Sequence, residues 1–138
     1  MPRAPERRLA RLRARYEKHA AQLARVGFML KGSLVQRFLT CGTPSCRCHT
    51  DPSRLHGPYW QWSRAVGGKT VSRMLREDQV RRYQEWIENW KRFDKIVAKV
   101  HDVSSQADAI LLAQERESRD RNNTSRHHPQ PRKSAARR

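Results

Sequence analysis

Apolar side chains in the N-terminal region recur every three or four residues. The apolar members of this heptad-like pattern are Leu9, Leu12, Tyr16, Leu23 and Val26. His19 occupies the one position of the pattern that lacks an apolar side chain. Pro5 suits the first turn of a helix, Glu6 complements the helix dipole there, and Gly27 can end the helix in a left-handed conformation. The pattern therefore predicts an amphipathic helix over residues 5–26.

The middle of the chain alternates instead with the period of a strand. Residues 34–39, which follow Gly32-Ser33, and residues 59–66 each predict a strand, and residues 69–75 predict a third. Gly67-Gly68 between the last two can adopt the positive φ angles of a two-residue hairpin turn. This turn sets a register with the pairs Ser63–Ser72, Trp62–Arg73 and Arg64–Val71.

From Arg76 onward the period is helical again. A stripe of apolar positions, broadened by neighbouring rings, predicts a helix over 77–115 with a weak point near 101–105; its first members are Val80, Tyr83, Ile87, Trp90, Val97 and Val100. The simplest packing sets this stripe antiparallel against the stripe of the first helix. Residues 116–138 have few apolar positions and no period, which predicts a disordered basic tail.

These elements predict an α+β fold with a single domain over residues 1–115. Its parts are the N-terminal helix, a small three-stranded antiparallel β layer within 33–76, and a long C-terminal helix packed on the first helix. A sheet this small needs additional stabilisation, because few apolar side chains can be buried beneath it.

The chain concentrates its three cysteines, Cys41, Cys46 and Cys48, ahead of His56. Three thiolates and one imidazole complete a tetrahedral zinc shell that is closed to water, which indicates a structural rather than a catalytic ion. His56 is the preferred fourth ligand, while His49 is the alternative, although its adjacency to Cys48 strains joint binding to one ion. Free buried thiols and an iron–sulfur cluster are the other interpretations of these cysteines.

The formal charge of +17 favours a polyanion as partner, with nucleic acid first and an anionic membrane second. Residues 27–76 hold eight basic side chains and one acidic one. No window is apolar enough for a membrane span, and of the two polyanions we expect nucleic acid, not a membrane, to be the partner. The candidate phosphate-binding residues are Arg8, Arg11, Arg15, Arg37, Arg47, Arg54, Arg64, Lys69 and Arg73.

Two tryptophans share one face of the predicted hairpin with Arg64 and Arg73. Rings among cations can stack on bases. The interpretation we favour is that Trp60 and Trp62 belong to the core while the arginines extend to solvent.

Nothing in the sequence assembles a catalytic site. Val66-Gly67-Gly68-Lys69-Thr70 resembles the end of a phosphate-binding loop, but the earlier glycine is replaced by Ser63 and the context is a hairpin. We therefore predict no catalytic residues and no enzymatic activity. The absence of an apolar signal core and the close, odd-numbered cysteines favour a reducing cytoplasm, with association with the nucleoid as one option.

Several linked motifs resemble a family of small uncharacterised bacterial proteins, a domain of unknown function. The segments that carry the resemblance are Gly32-Ser33-Leu34-Val35, Cys41-Gly42-Thr43-Pro44-Ser45-Cys46-Arg47-Cys48, His56-Gly57-Pro58-Tyr59-Trp60, Ser63-Arg64 and Gly68-Lys69-Thr70-Val71-Ser72-Arg73. The resemblance implies a bacterial origin and a genomic setting near transposases and other mobile elements. It implies no established activity.

The sequence therefore favours a zinc-stapled accessory protein that binds DNA or RNA through phosphate contacts without catalysis. The alternative is a protein–protein adaptor whose long coiled-coil-like helix pairs with a partner or with a second copy.

Overall fold

The computed structural model describes residues 1–126, and its element order agrees with the prediction. Helix α1 spans Ala4–Leu23, strands β1, β2 and β3 span Ser33–Leu39, His56–Val66 and Lys69–Leu75, and helix α2 spans Glu77–Arg126. Two short 3-10 helices, Arg47–His49 and Pro52–Arg54, lie between β1 and β2. The part of the predicted tail at 127–138 lies outside the described residues.

The three strands form one antiparallel sheet in the order β1-β2-β3. The predicted hairpin register is confirmed, because Ser63 pairs with Ser72 and Trp62 with Arg73. Gly67 and Gly68 turn the chain with φ of 56° and 78°, which side-chain-bearing residues rarely adopt. Between β1 and β2 the register shifts near the end of β1, where a bulge precedes the cysteine loop.

Two compact units can be described, and the first is the sheet unit, residues 19–98. Its core comprises residues of the sheet and of the first turns of α2: Trp62, Leu75, Val80, Tyr83 and Ile87. The rings of Trp62 and Tyr83 meet edge to face with centroids 5.1 Å apart, and the Trp62 indole donates to the carbonyl of Lys31 at 2.9 Å. This core confirms that Trp62 is a packing residue.

The second is the helix-pair unit, described over residues 1–18 and 99–126. Leu12 packs with Val103 and Ile110, and the less buried Leu9 and Ala107 border them. The long helix thus packs on the first helix in the predicted antiparallel sense. The α2 residues that do so differ from the predicted ones, because Val80, Tyr83 and Ile87 are occupied in covering the sheet.

Helix α2 is also longer and more regular than predicted. The expected weak point is absent, since Val103 is buried and the hydroxyls of Ser104 and Ser105 donate to carbonyls one turn earlier. The helix continues past 115 to Arg126, so residues 116–126 are helical rather than disordered. Hydroxyls again donate to carbonyls four residues back, from Ser118, Thr124 and Ser125. Such local bonds need no apolar period.

No helix within residues 1–126 has the length and apolar character needed to cross a membrane.

Candidate metal centre

The three cysteine sulfurs and one histidine nitrogen converge at the end of the sheet. The ligand atoms of Cys41, Cys46, Cys48 and His56 all lie within 4.8 Å of one another. The sulfurs of Cys41 and Cys48 are 3.6 Å apart, and the sulfur of Cys46 is 3.5 Å from Nε2 of His56. Ligands about 2.3 Å (sulfur) and 2.0 Å (nitrogen) from a tetrahedral zinc ion are separated by roughly 3.5–3.8 Å. The cluster therefore has the size and donor set of such a site.

A tight loop brings the three thiols together. The amide of Cys46 donates to the carbonyl of Thr43 at 3.1 Å, and a 3-10 turn then begins at Arg47. The amide of Cys41 points at the sulfur of Cys48 at 3.4 Å. Cys48 is the most enclosed of the three, with 3% of its surface exposed. The loop therefore supplies its own donor to one ligand, as metal-binding loops commonly do.

His56 enters the cluster from the first residue of β2, opposite Leu39 of β1. Gly57 follows with φ of 138°, and a Cβ there would lie 2.6 Å from the carbonyl oxygen of Arg37. Only glycine permits this close approach at the bulge. His56 rather than His49 thus completes the cluster, while His49 is exposed on the 3-10 turn.

Proton affinities within the cluster are strongly perturbed. A backbone hydrogen bond with Thr43 is the main cause that lowers the pKa of Cys41 to about 6. A backbone hydrogen bond with Cys48, followed by one with His56, lowers the pKa of Cys46. Hydrogen bonds with Cys46 and Cys41 raise the pKa of His56. A backbone hydrogen bond with Cys41 lowers the pKa of Cys48. Burial and the neighbouring thiols outweigh this bond and raise the pKa. Hydrogen bonds within the cluster therefore favour the thiolate forms of Cys41 and Cys46 and the protonated form of His56.

The predicted phosphate-binding residues near this cluster lie in different surroundings. Arg47 is exposed on the first 3-10 turn, and Arg54 lies 3.9 Å from Asp51 on the second. On β1, Nε of Arg37 donates to Gln61 of the neighbouring strand at 2.9 Å. Only Arg54 among these three is within ion-pair distance of a carboxylate in the described part of the chain.

Arg64 and Arg73 lie together on the face of the sheet that carries Trp62, opposite to the face that carries Arg37. The guanidinium of Arg64 lies 4.2 Å from the centroid of the Trp62 ring, and that of Arg73 lies 6.0 Å from it. Arg73 also donates to the hydroxyl of Tyr83 at 3.2 Å. Lys69 is exposed where β3 leaves the hairpin turn.

The three α1 candidates belong to the helix-pair unit. Arg8, Arg11 and Arg15 line one groove of about 590 Å³ together with α2 residues such as Ile110 and Gln114. The nine predicted cations thus belong to several surfaces rather than to one, and the roles assigned to them stay predictions.

Sequence reasoning missed a second group of rings and cations in the sheet unit. Phe28, Arg82 and Trp86 meet there, and the buried Asn89 lies below them. One signal was present in the sequence, because Asn89 is a polar residue between Trp86 and Trp90 on an otherwise apolar helix face. A buried amide at such a position usually serves a specific hydrogen bond.

Comparison with known proteins agrees with the motif resemblance. Residues 6–87 match the model of a family described as a domain of unknown function (DUF6788), and this segment contains all four cluster residues. No curated protein and no solved structure matches the chain. Because the match extends over more than half of the 138 residues, the protein belongs to the DUF6788 family.

Proposed function

We propose that this protein is a non-catalytic, zinc-stabilised basic protein that binds nucleic acid mainly through phosphate contacts. The observation that carries the proposal is uncompensated charge in the segment that contains the sheet and the four possible metal ligands. Residues 27–76 contain eight basic side chains. Of these eight, only Arg54 and Arg76 lie within 4.0 Å of a carboxylate of the described residues 1–126. Free cations on a small rigid sheet suit a polyanionic partner.

Zinc is the metal that this donor set favours. Three soft thiolates and an imidazole in tetrahedral proximity match structural zinc sites, which leave no open position for a substrate. In this role the ion would tie the loop after β1 to the start of β2 through Cys41 and His56. The chain itself supplies the positive surface, since three thiolates outweigh the charge of one zinc ion.

Arg64 and Arg73 are the best-positioned phosphate ligands. The Trp62 ring orients Arg64, and Tyr83 accepts a hydrogen bond from Arg73, so both side chains are ordered before a ligand arrives. A guanidinium has five N–H donors, and stacking on a ring leaves its edges available to phosphate oxygens. Ordered, unpaired guanidinium groups bind phosphate at a smaller entropic cost than flexible ones.

The test measures the affinity of the purified protein for DNA and RNA over a series of salt concentrations. We expect the logarithm of the affinity to fall linearly with the logarithm of salt, and the slope to lessen by about one for each phosphate contact removed. Arg64→Gln and Arg73→Gln should each reduce the slope, whereas Arg54→Gln, whose charge is already paired with Asp51, should change it little. Absent or salt-independent binding would refute the proposal.

The adaptor alternative has its own supporting observation in the helix-pair unit. Leu111 and Leu112 expose 45% and 43% of their surfaces on α2, and Tyr16 exposes 44% on α1. Sedimentation of the protein without nucleic acid tests this alternative. If α2 pairs with a second copy, the protein sediments as a dimer, and Leu111→Gln shifts it to the monomer.

A further inference from the structure

Phe28 presents most of its ring to solvent on a fixed backbone. The ring-bearing residue is 76% exposed. Asn89 is only 5% exposed, and its Nδ2 donates to the carbonyl of Phe28 at 2.7 Å. Two residues later the amide of Leu30 donates to the carbonyl of Trp86 at 3.0 Å. Two hydrogen bonds to α2 therefore fix the loop at Phe28 and two residues beyond it.

Further rings and cations extend this surface along α2. The Phe28 and Trp86 centroids are 5.2 Å apart with an interplanar angle of 44°, and the guanidinium of Arg82 lies 5.7 Å from the Trp86 ring. Lys31 places its ammonium 4.5 Å from the Trp90 ring. We call Phe28, Lys31, Arg82, Trp86 and Trp90 the loop–helix surface.

Both cations of the loop–helix surface are free of carboxylate partners within residues 1–126. The nearest acidic neighbours of Arg82 along α2 are Glu85, three positions later, which forms no ion pair within 4.0 Å among residues 1–126, and Asp78, one turn earlier, which is paired with Arg76 at 3.0 Å. Glu88 is likewise paired with Lys91 at 3.1 Å. The surface therefore combines exposed aromatic area with positive charge that no side chain of its own neutralises.

We infer that the loop–helix surface binds the unpaired bases of single-stranded nucleic acid, with Phe28 stacking on a base and Arg82 and Lys31 contacting the adjacent phosphates. This inference rests on the proposed nucleic-acid binding and narrows its substrate. Stacking on an aromatic ring tolerates every base, because each base has a π face. A duplex cannot use Phe28 in this way, because its bases already stack on one another.

The exposure of Phe28 argues against its ring being only a hydrophobic cover for Trp86. A phenyl ring that served as cover would bury itself over the indole, whereas this ring remains three-quarters exposed. The cations also distinguish the partner, since an apolar protein partner would have to bury Arg82 and Lys31 without counter-charges, at a substantial desolvation cost.

The test compares Phe28→Ala with the unaltered protein, each loaded with zinc, on three probes of equal length. The probes are oligothymidylate, an abasic oligonucleotide with the same number of phosphates, and a DNA duplex. We expect Phe28→Ala to weaken binding of oligothymidylate about fivefold or more and to leave the other two affinities unchanged. Tyr16→Ala removes a different exposed ring that has no cation over it in the described residues and should affect none of the probes.

A second pair of variants, at Arg82, separates the contribution of stacking to the affinity from the contribution of charge. Arg82→Lys keeps the positive charge but loses the planar group beside Trp86, so we expect a smaller loss on oligothymidylate than Arg82→Gln causes. Equal zinc content and melting temperature of all variants exclude misfolding.

The outcomes divide as follows. Salt-sensitive binding of all three probes with no effect of Phe28→Ala would overturn this inference and leave the proposed function standing. Binding of none of the probes by the unaltered protein would overturn both. Weakening of oligothymidylate alone would support both.

Discussion

The sheet unit and the helix-pair unit are stabilised in different ways. The sheet unit buries two rings and three aliphatic side chains in one cluster and brings four possible metal ligands together at the end of the sheet. Within the described residues 1–18 and 99–126, the helix-pair unit buries only Leu12, Val103 and Ile110, and grooves flank this contact on both sides. The comparison shows that the sheet unit relies on contacts between residues distant along the chain, while a long helix obtains much of its stability from bonds within four residues.

Charge distribution sharpens the contrast. In the sheet unit, the arginines near Trp62 and Trp86 are ordered by rings rather than by carboxylates. In the helix-pair unit, Arg8, Arg11 and Arg15 border a groove that Glu117 also lines. Cations ordered on rings retain their charge for a partner, so the proposed nucleic-acid contacts are placed first in the sheet unit.

Loss of a metal ligand should have the largest effect. Cys48→Ser should abolish stoichiometric zinc binding and unfold the sheet unit, because structural zinc contributes on the order of 10 kcal/mol of binding free energy that is available only to the folded site. Elemental analysis and the near-ultraviolet circular dichroism of the tryptophans measure both effects. His49→Ala is the matched control and should retain one zinc ion. Retention of zinc by Cys48→Ser would contradict the site.

Removal of the Trp62 ring from the core of the sheet unit should have the second-largest effect. Trp62→Ala removes a residue that is 5% exposed and should lower the free energy of unfolding by about 3–5 kcal/mol. Tyr59→Ala removes a ring that is 43% exposed on strand β2, and it should cost less than about 1 kcal/mol. Urea unfolding of zinc-loaded protein gives both values. Equal losses of unfolding free energy in the two variants would show that the core does not lie against the face of the sheet that carries Trp62.

A core substitution in the helix-pair unit should cost less. Leu12→Ala should lower stability by about 2 kcal/mol, the lower end of the range for buried leucine, because the neighbouring grooves allow side chains to relax into the space. Hydrogen exchange should report the loss at residues 103–110, with protection of strands β2 and β3 retained. Leu112→Ala, at an exposed position, serves as control. Equal loss of protection in the strands would show that the two units unfold together.

The pH dependence of zinc affinity should be the mildest effect over one pH unit. Zinc requires thiolates and a neutral imidazole, whereas the pKa of Cys41 is about 6 and hydrogen bonds with the thiols raise the pKa of His56. As pH falls through about 6, protons compete with zinc for Cys41, and the raised pKa of His56 adds a second competing proton, so affinity should fall by about tenfold per pH unit for each proton displaced. Chelator competition between pH 5 and pH 8, corrected for protonation of the chelator, measures this. Constant affinity over that range would rule out these ligands.

Local features of the sheet unit could be predicted from sequence. Gly67-Gly68 predicts a two-residue hairpin turn. A turn of this length fixes the register of the hairpin, so that Trp62 lies opposite Arg73. The Cys3His set followed from the types and spacing of Cys41, Cys46, Cys48 and His56. His49 could not be rejected on spacing alone. The structure favours His56 because β1 pairs with β2 and brings that residue beside Leu39.

Features that depend on which surfaces meet could not be predicted in the same way. The stripe of α2 was expected to face α1 throughout, but an apolar period identifies a buried face without identifying what covers it. Its first turns cover the sheet, and Val103 and Ile110 meet Leu12. The end of α2 was also placed too early, because the backbone hydrogen bonds that continue the helix to Arg126 join residues four apart and require no apolar period.

The sequence by itself thus determined the order of the helices and strands, the hairpin register and the three cysteine ligands, because each depends on residues close together along the chain, whereas the pairing of β1 with β2 decided for His56 over His49. Only the tertiary structure decided which stretch of α2 covers which neighbour and how Phe28 is presented. The bond from Asn89 to Phe28 joins residues 61 positions apart, and no local pattern encodes such a contact. It forms because the sheet and α2, once packed, bring a buried amide to the carbonyl that holds an exposed ring in place.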